Sequence, residues 1–265
     1  MTLNKGQNVL LGKKCLIMRD VSQANSLIKG IRALGGIPFL VPLISFRKKV
    51  LTSDEIETIN NLARFNWIVF TSQNGVKFFM KHLTERNIMF PKHIKVAAIG
   101  KKTKQCLQEF HISPSFVPNK FTGDVLGLEM KEVINKNEKI CIVKGNLARD
   151  AAGWELRKFG ADVHEIISYE TYLPEESKKQ LLQTLTEHRM DILIFTSPST
   201  VDHFMGILKE YQKEDIFKEI WIACIGPVTK KALRKFNLPV HICPEVYTTD
   251  QLLIDLKNFF IHDEK

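Results

Sequence analysis

The sequence predicts an α/β protein built from two copies of a doubly wound parallel-sheet unit. Three observations lead there: short, uninterrupted apolar runs recur along the chain, helical patterns lie between them, and the pattern of the first half returns in the second. Apolar runs without polar alternation suit strands covered on both faces of a parallel sheet. Strands that alternate with helices imply βαβ units. With 265 residues the chain exceeds what one core commonly supports, so two domains of about 120–130 residues each are expected.

In chain order, the expected strands are Cys15–Met18, Ile37–Leu43, Trp67–Phe70, Val96–Ile99, Ile140–Val143, Val163–Ile167, Ile192–Phe195 and Trp221–Ile225, with Phe116-Val117 and Val240–Ile242 as weaker cases. Leu27, Ile28, Ile31 and Leu34 share one face of a helix that Gly35-Gly36 ends. Thr52 and Glu55 have capping-box spacing before a helix expected to run to about Arg64. Ser197-Pro198 sets a capping hydroxyl before a proline at the first helical position. Thr248 and Gln251 repeat the capping-box spacing ahead of Leu252, Leu253 and Leu256.

The repeat is specific in register. Trp67-Ile-Val-Phe-Thr-Ser72 matches Ile192-Leu-Ile-Phe-Thr-Ser197, and Ser72 and Ser197 stand 125 residues apart. Ile99-Gly-Lys-Lys-Thr103 matches Ile225-Gly-Pro-Val-Thr229 at 126, and Phe121-Thr-Gly-Asp124 matches Tyr247-Thr-Thr-Asp250 at 126. Three motifs in one register indicate two copies of a unit; the period is too long for a solenoid.

The hydrophobic fraction of 44% and charged fraction of 25% are those of a globular protein. No run approaches the ~20 apolar residues that span a bilayer. The polar start, Met1 to Gly12, carries no leader signature, so a cytoplasmic location is expected. Cys15, Cys106, Cys141, Cys224 and Cys243 are scattered, without a C-x-x-C pair, and read as reduced thiols. The formal net charge of +9 favours an anionic partner. The lysines are spread along the chain, however, and neither a helix-turn-helix nor an aromatic-basic sheet signature marks a nucleic-acid binder.

Sharper chemical motifs are missing. The chain has no G-x-G-x-x-G and no G-x-S-x-G, and Gly100-Lys-Lys-Thr103 has Lys95 where a P-loop requires glycine. No histidine pair has zinc-helix spacing. No cofactor and no metal are expected. What remains are hydroxyls at the ends of strands where helices begin: Ser72, Thr103, Ser197 and Thr229. Ligands gather at that edge of open α/β sheets, and helix amino termini there favour carboxylate or phosphate. The plain alternative is that each residue only caps its helix.

Together these motifs resemble the uroporphyrinogen-III synthase family over nearly the whole chain. Leu16-Ile-Met-Arg19, Gln23-Ala24, Leu34-Gly-Gly36 and Val41-Pro-Leu-Ile44 are similar to its amino-terminal pattern. The paired Phe-Thr-Ser and Ile-Gly-x-x-Thr segments, Lys144-Gly-Asn-Leu-Ala-Arg149, Phe159-Gly-Ala-Asp-Val163 and Tyr169-Glu-Thr171 follow in the family's order. Lys144 stands where the family usually has arginine, Leu147-Ala148 where it has small residues, and Gln73 where proline is common.

The resemblance implies two domains joined by a two-stranded linker. One comprises 1–43 plus 172–265, the other 47–167, with crossings near 42–46 and 168–172. It implies a cyclising hydro-lyase of porphyrin and haem biosynthesis. Hydroxymethylbilane would close with inversion of ring D and loss of water through a spiro intermediate. Tyr169 would be the catalytic side chain, its plain alternative being a tyrosine packed at the crossing, and Ser72, Thr103, Arg149, Ser197 and Thr229 would bind the substrate's carboxylates. A monomer is implied, without membrane or nucleic-acid partners, receiving substrate by transient handover from hydroxymethylbilane synthase. The competing readings are a non-catalytic two-domain sensor of a small anion and a degenerate homologue that binds tetrapyrrole without turnover. Arg19 reads either as a cleft residue at a strand end or as half of a surface ion pair.

Overall fold

The computed structural model describes residues 8–213, 217 and 219–263; the amino-terminal residues 1–7, part of the stretch read above as leaderless, lie outside the described residues. The chain divides into two compact units, Met1–Ser45 with Tyr172–Lys265, and Phe46–Thr171.

The first unit contains a four-stranded sheet, β1 (Lys14–Ile17), β2 (Ile37–Leu40), β8 (Ile192–Phe195) and β9 (Trp221–Cys224), in the order β2-β1-β8-β9. All three pairings are parallel. Alternate residues reach opposite faces. Leu16, Leu193 and Phe195 enter one apolar cluster with Phe204 and Leu208 of α8 (Pro198–Glu210), while Cys15, Ile17, Ile192 and Ile194 enter another with Leu27 and Ile31 of α1 (Val21–Ala33) and Leu252 and Leu256 of α10 (Thr249–Asp263). Burial on both faces is why these strands read as continuous apolar runs. The remaining helices are α7 (Glu175–Glu187) and α9 (Pro227–Lys235).

The second unit holds a five-stranded sheet in the order β3-β7-β6-β4-β5, where β3 is Ser45–Lys48, β4 Trp67–Phe70, β5 Lys95–Ala98, β6 Lys139–Gly145 and β7 Asp162–Tyr172. Its helices are α2 (Ser53–Asn60), α3 (Gln73–Glu85), α4 (Lys101–Glu109), α5 (Gly123–Met130) and α6 (Ala151–Phe159). Ile68 and Phe70 enter one core cluster, Trp67 and Val69 the opposite one. The order β7-β6-β4-β5 repeats β2-β1-β8-β9, with β4 equivalent to β8 as the sequence repeat requires. The units therefore share one architecture, but the first uses its β1–β2 half from the start of the chain and its β8–β9 half from the end.

Local chemistry explains most boundaries. Thr52 and Glu55 form both halves of the capping box. The helix they start ends at Asn60 rather than near Arg64, because the Asn61 side chain donates to the Glu57 carbonyl and the chain tightens into a 3₁₀ turn, Leu62–Arg64. Thr248 caps Gln251 N–H, but the Gln251 side chain turns to Asp255, so this box is half formed. Gly35, at φ +86°, turns the chain out of α1 in the left-handed region. β2 stops at Leu40 instead of Leu43, ahead of Pro42, which has no N–H to give a ladder. Phe116 and Ile242 each make a single bridge, to Ala97 and Ala223, so the two weaker strands are bridges only. No apolar run announces the short polar strand β3, and β7 runs well past Ile167 to Tyr172.

Candidate functional site

In the second unit, a cavity of about 590 Å³ opens at the carboxyl ends of β4 and β6, beside the first residues of α5 and α6. Thr71 and Ser72 follow β4, Lys144 is the penultimate residue of β6, Tyr169 projects from β7, and Arg149 and Asp150 lead into α6. Its size is that of a small-molecule site. Three of the residues singled out in the sequence, Ser72, Arg149 and Tyr169, thus line one cavity.

Tyr169 is held on several sides. Its ring stacks on Phe78 with centroids 5.6 Å apart, and Phe46 meets it edge-on at 5.9 Å. Its hydroxyl lies 3.1 Å from Ser72 Oγ. Ser72 caps α3, its Oγ accepting from Gly75 N–H at 2.9 Å. Burial raises the phenol's pKa, against a smaller lowering from Ser72, so Tyr169 is a protonated donor at neutral pH.

Lys144 also lines the cavity, but its charge is already engaged. It is 8% exposed and pairs with Glu165, with Asp150 3.9 Å away. Arg157 closes the cluster, donating to Asp150 at 2.7 Å and to Glu165 at 3.0 Å. Burial alone would raise the Glu165 pKa; the contacts with Asp150, Lys144 and Arg157 outweigh it and hold the carboxyl at about 2. Arg149, by contrast, is exposed and has no hydrogen bond or ion pair among the described residues. The cavity's available cation is therefore Arg149, with two helix starts beside it.

Thr103 and Thr229 are not caps. Gly100 and Gly226 hold the cap positions of α4 and α9, and each threonine follows three residues later, 4% and 2% exposed. Thr103 is not among the residues lining the cavity. Ser197, in the first unit, caps α8 by accepting from Thr200 N–H at 3.3 Å and lies 3.1 Å from Ser199 Oγ. The structure thus gathers Ser72, Arg149 and Tyr169, and places Ser197 and Thr229 at equivalent helix starts of the other unit.

Arg19 is not half of a surface ion pair. Its Nη2 donates to Gln23 at 3.1 Å, while Nε and Nη1 are buried without a partner among the described residues. Burial lowers its pKa, against a raising effect of Asp20. Strand register equates Arg19 with Lys144: Cys15 opposes Ile192 as Ile140 opposes Trp67, and each cation lies four residues further on. No motif in the sequence marks the acidic partners of Lys144. Only the alternation of Val163, Glu165 and Ile167 in a strand beside β6 could have suggested that Glu165 faces Lys144's side of the sheet.

Among the described residues no helix is long and apolar enough to cross a membrane, and no group of three or more His, Cys, Asp or Glu could hold a metal ion. Cys15, Cys106, Cys141 and Cys224 are buried free thiols, and Cys243 is partly exposed.

Comparison with known proteins agrees with this architecture. The family model described as "Uroporphyrinogen-III synthase HemD" matches residues 25–254. The "Uroporphyrinogen-III synthase" of Chlorobaculum parvum is 28% identical over 89% of this chain and 94% of its own length. The "Porphyrin biosynthesis protein HemD" of Ruminiclostridium josui is 26% identical over 92% of this chain, which spans 48% of that longer protein. The solved structure of a mutant uroporphyrinogen III synthase from the extremely thermophilic bacterium Thermus thermophilus shares the fold, with a TM-score of 0.66 at 15% identity, covering 96% of this chain and 100% of that one. The family match over most of the chain, carried on two α/β units of the same design, places the chain in the uroporphyrinogen-III synthase family.

Proposed function

We propose that this chain cyclises hydroxymethylbilane to uroporphyrinogen III, losing water and inverting ring D. Family membership supports the reaction, and the observation that carries its chemistry is the protonated Tyr169 phenol beside Ser72 in a cavity that also presents Arg149. The substrate's C–O bond must break, and its hydroxyl must leave as water with one added proton. The buried phenol, held protonated by its raised pKa, gives that proton to the leaving hydroxyl and regains one from the substrate's pyrrole carbon, which sheds a proton as the ring closes. Ser72 already accepts from Gly75, so its own proton can point at the phenol oxygen, leaving the phenol proton for the substrate.

The remaining work is conformational. The substrate carries many carboxylates, and a basic protein with several helix starts can hold them at once. In this reading Arg149 and the amino ends of α5 and α6 bind carboxylates beside Tyr169. Ser197, Thr103 and Thr229 mark further carboxylate contacts, made mainly through backbone N–H groups because both threonine side chains are buried. Holding the chain so that the rearranging closure outruns simple ring closure is an orientation effect. The reading includes a cytoplasmic monomer that takes hydroxymethylbilane from its synthase in a transient handover.

The test is an isomer assay: hydroxymethylbilane is generated in situ, and the oxidised products are separated into porphyrin isomers I and III. Predominantly isomer III is expected. Isomer I alone, from a folded sample, would overturn the proposal and favour a non-catalytic homologue.

A further inference from the structure

We infer that Gly145 is a positioning residue for Tyr169, its missing side chain creating the space in which the phenol meets Ser72; this rests on the reading of Tyr169 as the side chain that assists water loss. The β6–β7 ladder runs Lys144 to Ile167 and then Gly145 to Tyr169, skipping Ser168. The skip sets the tyrosine directly opposite the glycine, as bulges re-aim a side chain. The skipped residue is fixed: Ser168 is fully buried, and its carbonyl accepts from His82 Nε2 at 3.0 Å and from Lys49 N–H at 3.3 Å.

A β-carbon on Gly145 would lie 2.5 Å from Tyr169 Cζ, 2.7 Å from its hydroxyl oxygen and 2.8 Å from Cε2. These are the reacting end of the ring, and each distance is well inside van der Waals contact. The ring cannot yield freely, because Phe78 stacks on it and Phe46 meets it edge-on. Gly145 is not among the glycines with positive φ, so alanine meets no backbone strain there. The glycine answers to the phenol, not to the turn of the chain.

Gly145→Ala must therefore move the phenol away from Ser72 by a good fraction of an ångström. Misplacements of ~1 Å cost on the order of a hundredfold in rate. The experiment compares the full chain as wild type, Gly145→Ala, Tyr169→Phe and the double variant in the isomer assay, with kcat and KM resolved and thermal unfolding recorded. A second readout, independent of turnover, is the ring-carbon NMR signal of Tyr169 among the chain's four tyrosines. We expect Gly145→Ala to lower kcat about 10- to 100-fold with KM within about threefold, to shift the Tyr169 signal, and to add no further loss in the Tyr169→Phe background.

A wild-type kcat in Gly145→Ala, or losses that multiply in the double variant, would overturn the inference while leaving Tyr169's role standing. Wild-type turnover in Tyr169→Phe would instead sink the reading on which it rests.

Discussion

Lys144 Nζ is paired with Glu165 at the end of β6, inside a cavity where a free cation would otherwise be expected to meet substrate. Removing one partner of a mostly buried pair leaves the other charge uncompensated. Glu165→Gln should lower the stability of the second unit by roughly 2–3 kcal/mol, somewhat below the fully buried case because Asp150 and partial solvent remain. Urea unfolding reads this. The Glu165 contribution is present above the carboxyl's ordinary pKa of 4.5 and is lost as pH falls through about 2.

Arg149 lines the same cavity and has no acidic partner among the described residues. Arg149→Gln is expected to raise KM about tenfold, the equivalent of ~1.4 kcal/mol of carboxylate binding, with kcat changed less than threefold. The effect should shrink at high salt, as it does for exposed charges. A variant with unchanged KM at low salt would leave the helix starts as the carboxylate binders.

His82 Nε2 lies 3.0 Å from the Ser168 carbonyl, and because that oxygen only accepts, Nε2 carries the proton. Burial holds the ring's pKa below its ordinary 6.5, against the raising effect of the Ser168 contact. The unfolded chain therefore takes up a proton on this residue before the folded one does. Its stability contribution is full above 6.5 and falls as pH drops from there through the lowered folded value. His82→Gln, whose amide can keep the bond to Ser168, should flatten that slope of unfolding midpoint against pH.

Two nitrogens of Arg19, Nε and Nη1, are buried without an acceptor among the described residues, a cost of about 1–3 kcal/mol each when nothing fills them. Asp20 does not need it, since its carboxylate already accepts from Ser22 N–H at 2.9 Å and Ser45 Oγ at 2.8 Å. Arg19→Met keeps the stem's packing and should stabilise the chain by about 2 kcal/mol, the low end for two unsatisfied nitrogens. A drop in the thermal midpoint would show that the guanidinium is satisfied in solution.

Local signals in the chain foretell the α/β class and most strands, because both faces of each sheet are buried and period-free apolar runs follow from that. They also mark Ser72 and Ser197 as helix caps, where hydroxyl, backbone N–H and strand end lie within three residues. Thr103 and Thr229 mislead as caps because the cap chemistry there belongs to glycine, three residues earlier.

What the sequence by itself determined is whatever is set by neighbours along the chain: strand and helix periodicity, capping, and a repeat whose two copies fold to one strand order. Only the tertiary structure decided which charges are spoken for and where Tyr169 points. Lys144 and Glu165 are 21 residues apart in sequence, and a strand register must bring them together. The same ladder skips Ser168 and so lays a phenol over a glycine. Pairing between distant segments, and the space one residue leaves for another, are set by packing, which no local pattern encodes.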